Sequence, residues 1–359
     1  MDKNIKNTGI NPIIIFTAGL ILVSLIGYLL IAGRSLLIPL VIAIFIWHLL
    51  NTIHNAVQRL PVIGPRLPNW LSMVLALLVV AFLVKILIDI ITNNVNDVIA
   101  ASSRYQENLT HIFNSMDKRF HFKTLANVDN FLKDLSVQRI LVNIYGVFSA
   151  ITGSAVLIAL YVIFLFVEQH FFRQKLDALV PQKGHRQLVN NIITHIVKDT
   201  QTYLGLKTLL SIITAISSWI IMKSVGLDFA EFWALLIFFL NFIPNIGAIL
   251  ATAFPMLLAL IQFQSWVPFV IITSGIVAIQ FIIGNLVEPR FLGKSLNLSA
   301  LVILVALALW GAIWGILGMF LSVPITVMMM IIFAHFDATR PIAIMLSQDG
   351  YIKKAYEQL

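Results

Sequence analysis

The 359-residue chain contains no cysteine. That excludes disulfides, cysteine-ligated zinc, iron–sulfur clusters and thiol catalysis. Charge is scarce as well: Asp, Glu, Lys and Arg make up 11% of the residues, against about 25% in an average soluble domain. Phosphate-binding GxxxxGK[ST], the GxSxG elbow, HExxH and a glycine fingerprint after a strand are all missing, which argues against ATP-driven pumping and against soluble-type enzyme chemistry. What is present is apolar: 59% of the residues, with a mean hydropathy of +0.94. The net charge of +8 therefore reads as Lys and Arg retained on the cytoplasmic side of a bilayer, not as a nucleic-acid surface.

The few charges are spaced in a telling way. No Asp, Glu, Lys or Arg lies between Lys6 and Arg34, Arg34 and Arg59, Arg66 and Lys85, Arg139 and Glu168, or Lys207 and Lys223. Each gap suits one helix of about 20 residues crossing the hydrocarbon core. Two longer gaps, Glu231 to Glu288 and Lys294 to Asp337, must double back or cross repeatedly. The fold class is an all-α polytopic membrane protein with about eight hydrophobic segments. The first run, Ile13 to Ala32, is longer than a usual signal core and has no evident small-x-small cleavage site, so it reads as a retained span.

Counting Lys and Arg in the connections places both termini in the cytoplasm. The chain then divides into three spans over 1–91, an extracytoplasmic helical segment over 92–144, a span over 145–167, cytoplasmic amphipathic helices over 168–204, a core over 205–336 and a cytoplasmic tail over 337–359. The 92–144 segment reads as a small helical cap that can also make subunit contacts. His185 and His195 have no third ligand candidate nearby, and no metal or cofactor is expected.

The core carries the chemistry. Its first apolar block (231–263) is interrupted by Asn241, Pro244, Asn245 and Gly247, and again by Pro255. Its last (299–334) is interrupted by Gly311, Gly315, Gly318 and Pro324. Each block can form a re-entrant hairpin with broken backbone at membrane depth, where polar groups need partners, or a pair of spanning helices packed through glycine. Between them Trp266 to Val287 is long enough for one span. Asn241, Asn245, Thr252, Gln262, Gln264, Gln280 and Asn285 are solute-path candidates or ordinary interhelical hydrogen-bonders. Glu288, followed by Pro289 and Arg290, ends a long uncharged stretch. Its carboxylate and the Arg290 guanidinium are expected to pair, or to face a polar cavity instead of lipid.

LNFIPNIGAILATAFP at Leu240–Pro255, GNLVEPRFLGKSLNLS at Gly284–Ser299, WGAIWGILGMFLSVP at Trp310–Pro324 and TYLGLKT at Thr202–Thr208 together resemble the autoinducer-2 exporter family. Order and spacing match from about Gln187 onward, and the first 150 residues match in layout. The resemblance implies a secondary transporter of a bacterial inner membrane, embedded in lipid and forming homo-oligomers. Its solute would be a small polar molecule such as the quorum-sensing signal autoinducer-2. It also implies an alternative, sodium or lithium/proton antiport, for which Glu288 is the core's carboxylate. An oligomeric membrane scaffold is the third reading, and it leaves the Asn–Pro–Asn–x–Gly break without a purpose.

Overall fold

The computed structural model describes residues 12–59, 67–120, 146, 153–179, 183–244, 246–263, 265–292, 297–336 and 338–350. Among these there is no strand, only an isolated antiparallel bridge between Leu298 and Ser347. The helices are α1 (Pro12–Ala32), α2 (Arg34–Gln58), α3 (Asn69–Phe120), α4 (Ala155–Leu179), α5 (Lys183–Val225), α6 (Ala230–Leu240), α7 (Ile246–Phe263), α8 (Trp266–Phe281), α9 (Glu288–Leu292), α10 (Ala300–Trp314), α11 (Ile316–Ala334) and α12 (Arg340–Leu346). A π-helical stretch, Ile282–Val287, joins α8 to α9 without a break.

Seven helical segments among the described residues are long and apolar enough to cross a membrane, and Thr17–Ala32, α6 and α10 are shorter apolar helices. Large apolar side chains such as Leu22, Phe82, Ile220 and Phe281 point outward, each more than half exposed. In water such a surface would be a liability; in lipid it is the expected contact. The chain is a polytopic helical membrane protein, as the charge gaps predict.

Two helices are far longer than a membrane is thick. α3 holds 52 residues and contains neither proline nor glycine, so nothing in its sequence ends it where the apolar run gives way to polar residues near Thr92. The change expected there happens within one helix. The remainder of the expected 92–144 cap, from 121 onward, lies outside the described residues. α5 holds 43 residues, of which Thr200–Val225 form the apolar part. It stops at Gly226, whose φ of +82° lets the Leu227 N–H reach back to the Met222 carbonyl at 2.9 Å, a Schellman ending.

Two antiparallel hairpins, α6–α7 and α10–α11, are packed around α5. α6 and α8 lie along α5, as does α11, while α2 packs on α3 and α4. The polar, C-terminal part of α3 reaches the base of the first hairpin. There Arg104 Nη2 lies 2.6 Å from Asp228 Oδ2 and the Tyr105 hydroxyl donates to the same oxygen at 2.8 Å. Asn108 Nδ2 donates to the Ile261 carbonyl at 3.1 Å. Burial, with help from Asp228, pushes the Tyr105 phenol up to about 12. Gln262 ties the hairpin's two ends together: it accepts from the Asp228 N–H at 2.8 Å and donates to the Gly226 carbonyl at 2.9 Å. Phe229, held in the left-handed region at φ 59°, is braced edge-on by Tyr105, as strained backbone requires.

The two prolines expected to interrupt the hairpins do not. Pro255 lies within α7 and Pro324 within α11, both buried in helices that continue through them. Each removes one N–H from the ladder, at a residue packed inside the bundle instead of facing lipid. Gly311 and Gly318 are likewise inside helices, so the second break falls at Gly315 alone.

Candidate functional site

The first hairpin is the more informative. α6 has 11 residues, a length of about 16 Å at 1.5 Å per residue, roughly half of a hydrocarbon core of about 30 Å. It ends at Asn241, which is 8% exposed. The Asn241 carboxamide donates to Ser211 Oγ at 3.3 Å and approaches Thr214 Oγ1 at 3.5 Å. Ser211 and Thr214 sit halfway along the Thr200–Val225 apolar stretch of α5. The tip of a half-length helix therefore meets hydroxyls at the middle of a full-length one.

Those hydroxyls belong to a polar face that the charge gaps do not reveal. Lys207, Ser211, Thr214 and Ser218 are all buried at steps of four, three and four, one side of a helix. The Thr214 hydroxyl also donates to the Leu210 carbonyl at 2.8 Å, while Ser218 Oγ is shielded with no partner among the described residues. The spacing is visible in the chain, but a search for charge gaps treats serine and threonine as neutral filler and passes over it.

Backbone contact shapes both hairpins in the same way. A Cβ at Gly247 would overlap the Leu240 carbonyl oxygen, and one at Gly318 would overlap the Trp310 carbonyl oxygen. In each hairpin a glycine early in the second helix thus touches a carbonyl at the end of the first. The second tip turns on Gly315, with φ +64° and ψ −141°, a region open essentially to glycine. Gly311 faces the flexible end of Met319. In the first tip Pro244 accepts from the Ile246 N–H at 2.6 Å; Asn245 lies outside the described residues.

The two hairpins meet through aromatic rings. Phe242, next to Asn241 and 1% exposed, stacks on Phe320 of α11 with centroids 4.4 Å apart and planes at 30°. Phe45 of α2 lies edge-on to both, at 6.5 and 5.6 Å. The polar cluster of Asn241, Ser211 and Thr214 is therefore bordered by an apolar contact between hairpins.

Glu288 has a partner other than the one expected. Its Oε1 lies 2.6 Å from Lys207 Nζ of α5, and the two side chains are 24% and 5% exposed. Arg290 is exposed instead. The reason is local geometry. Pro289 has no N–H, and before it the ladder slips to five-residue spacing, with the Glu288 N–H bonded to the Ile283 carbonyl. One extra residue in a turn re-aims the side chains beyond it, and Glu288 meets α5. Asn285 is exposed and donates to its own helix at the Phe281 carbonyl, 3.3 Å away. Gln280 Nε2 is shielded with no partner among the described residues. Among the described residues no group of three or more His, Asp or Glu could hold a metal ion.

A multi-pass bundle with two hairpins and buried hydrogen-bonding groups halfway along an apolar span has the architecture of a membrane transporter. Comparison with known proteins agrees. The model of the AI-2E family transporters matches residues 13–338, and the chain belongs to that family. It is similar to the AI-2 transport protein TqsA of Escherichia coli K12, at 26% identity over 344 residues covering 93% of this chain and 97% of that protein. A candidate transport protein of Haemophilus influenzae is 26% identical over 329 residues, 89% of each chain. Another, from Borreliella burgdorferi, is 35% identical over 232 residues, 64% of this chain and 63% of that relative.

Proposed function

We propose that this protein is a secondary transporter of a bacterial inner membrane that exports a small polar solute by alternating access. Its path would follow the polar face of α5 beneath the first hairpin tip. The observation that carries this reading is the Asn241 carboxamide held against Ser211 and Thr214 halfway along the α5 span. A buried polar cluster in a membrane core is expensive unless it serves a purpose, and these groups offer donors and acceptors without net charge. That suits a solute recognised through hydrogen bonds. Movement of α6–α7 against α2, α3 and α4 would part the Phe242–Phe320 stack and open the cluster to one side. Asn245, which follows Pro244 in sequence, stays a candidate for the proposed path. Asn285 and Arg290, which are exposed, do not. The cytoplasmic placement of both termini is part of the same proposal.

The Escherichia coli relative's name supplies the probe. Everted vesicles carrying this protein are expected to accumulate labelled autoinducer-2 above vesicles lacking it. Asn241→Ala should lower that rate about tenfold, since losing hydrogen bonds to a buried site costs roughly 1–3 kcal/mol. Equal accumulation with and without the protein would remove autoinducer-2 as the solute. Undiminished transport by Asn241→Ala would remove the path.

A further inference from the structure

α3 joins two parts of the molecule that the proposed movement would separate. Near its start, Ala76 and Val80 are buried in one cluster with Leu50 of α2, and Val162 and Phe166 of α4 pack against it. Roughly 25 residues further on, about 37 Å along a helix, Tyr105 is buried in the cluster that holds Met222, Leu227 and Phe232. Between these points α3 has neither proline nor glycine, so no residue marks a hinge. A stiff rod fixed on α2 and α4 thus grips the base of α6–α7. The hairpin can move against α2 and α4 only when that grip is released. The polar contacts of the grip suit release. Asp228 Oδ2 takes both the Arg104 guanidinium and the Tyr105 hydroxyl, and the Arg104 and Asp228 side chains are 60% and 33% exposed. Asn108 donates to the Ile261 carbonyl, one of the last four of α7 and so without a donor in its own helix. Water can take over these bonds as they break. The Asn241 cluster at the tip, by contrast, is buried.

We propose that the C-terminal part of α3 is a latch on the first hairpin, with Asp228 as its catch and the Tyr105 hydroxyl and Asn108 carboxamide as its releasable contacts. Latched, the hairpin holds Asn241 on Ser211 and Thr214 and keeps the cluster closed. Unlatched, α6–α7 is free to move, and the latch sets how often the cluster becomes accessible. The strained Phe229, braced by the Tyr105 ring, sits at the joint where latch and hairpin part. The inference rests on the proposed movement of α6–α7 and names what restrains it.

The test is the rate at which Ser211→Cys, in the full-length protein in vesicles, reacts with a small polar methanethiosulfonate reagent. If the thiol is reached only from the unlatched state, that rate follows the unlatched fraction. Adding Tyr105→Phe keeps the ring against Phe229 and removes only the hydroxyl that meets Asp228. It should raise the rate about tenfold, as expected for one lost hydrogen bond to a charged group. Asn108→Ala should raise it in the same direction, and serves if the phenylalanine variant folds poorly. Trp314→Phe, which removes a hydrogen bond at the tip of the second hairpin, should leave the rate unchanged. A rise with Tyr105→Phe or Asn108→Ala but not with Trp314→Phe supports the latch. Labelling at one rate in every background, or an equal rise with Trp314→Phe, overturns the latch and leaves the α5 path standing. No labelling of Ser211→Cys in any background removes the path, and the latch with it.

Discussion

The two hairpins use one backbone device for different ends. In both, a glycine early in the second helix lies against a carbonyl that closes the first: Gly247 on Leu240 and Gly318 on Trp310. Yet the first tip carries Asn241 to the hydroxyls of α5, while the second turns on Gly315 and sends the Trp314 indole to the Leu30 carbonyl of α1 at 3.0 Å. The first is tied at its base through Tyr105, Asp228 and Gln262. The second is anchored at its base too, where Ser299 and Gln348 pair with Leu346 and Asn297. A shared packing solution therefore implies no shared role. What distinguishes the hairpins is which of them brings hydrogen-bonding groups to mid-span.

The comparison breaks most easily at the shared glycines. Gly247→Ala and Gly318→Ala each force a Cβ into a backbone carbonyl, which can be relieved only by separating two helices. Each should cost about 3 kcal/mol or more, read as a similar fall in melting temperature and in monodisperse yield. A large loss at one and none at the other would show that the hairpins are not built alike. Next come the tips. Gly315→Ala meets no neighbouring atom, so its cost is backbone strain alone, about 1–3 kcal/mol. Asn241→Ala should lose a similar amount of stability, roughly 1–3 kcal/mol, and in addition most of the transport. Comparing transport rates at matched folded fraction separates the two: Gly315→Ala should keep its rate and Asn241→Ala should not.

Smaller effects sharpen the picture. Trp314→Phe removes one hydrogen bond to α1 and keeps the ring, for about 1 kcal/mol by thermal melting. Arg104→Ala at the base of the first hairpin breaks an ion pair whose arginine side chain is 60% exposed, and should cost no more than about 1 kcal/mol. Tyr105→Ala, at a position 2% exposed, should cost several times that, about 3–5 kcal/mol. If the order were reversed, the attachment of α3 would be ionic instead of packed.

Much of this was legible in the chain because membranes simplify sequence. Gaps between charges gave the spans, and the cluster at Asn241–Gly247 marked a real tip because proline, asparagine and glycine rarely gather in an apolar run without a bend. Pro255 and Pro324 misled for a complementary reason: a helix wrapped by others tolerates a missing hydrogen bond that an isolated one would not. Glu288 was visible as an isolated carboxylate, but its partner was not. Lys207 is 81 residues away, and Arg290, two residues away, looked nearer until the π-helical turn re-aimed the carboxylate. No sequence period announces such a turn. The polar face of α5 was readable at four, three and four residues, and needed attention to hydroxyls as well as charges.

The central claim, that a polar path runs along α5 beneath the first hairpin tip, is tested most directly at Ser211. The chain has no cysteine, so a single Ser211→Cys substitution reports without background. During turnover, this thiol is expected to react with a small polar methanethiosulfonate reagent, and Asn241→Cys is expected to react as well. An Ile272→Cys control, at a residue 0% exposed in the apolar core, should stay unlabelled. If Ser211→Cys and Asn241→Cys both remain unlabelled while Lys223→Cys at the exposed end of α5 labels normally, the cluster is interhelical packing and no path passes through it.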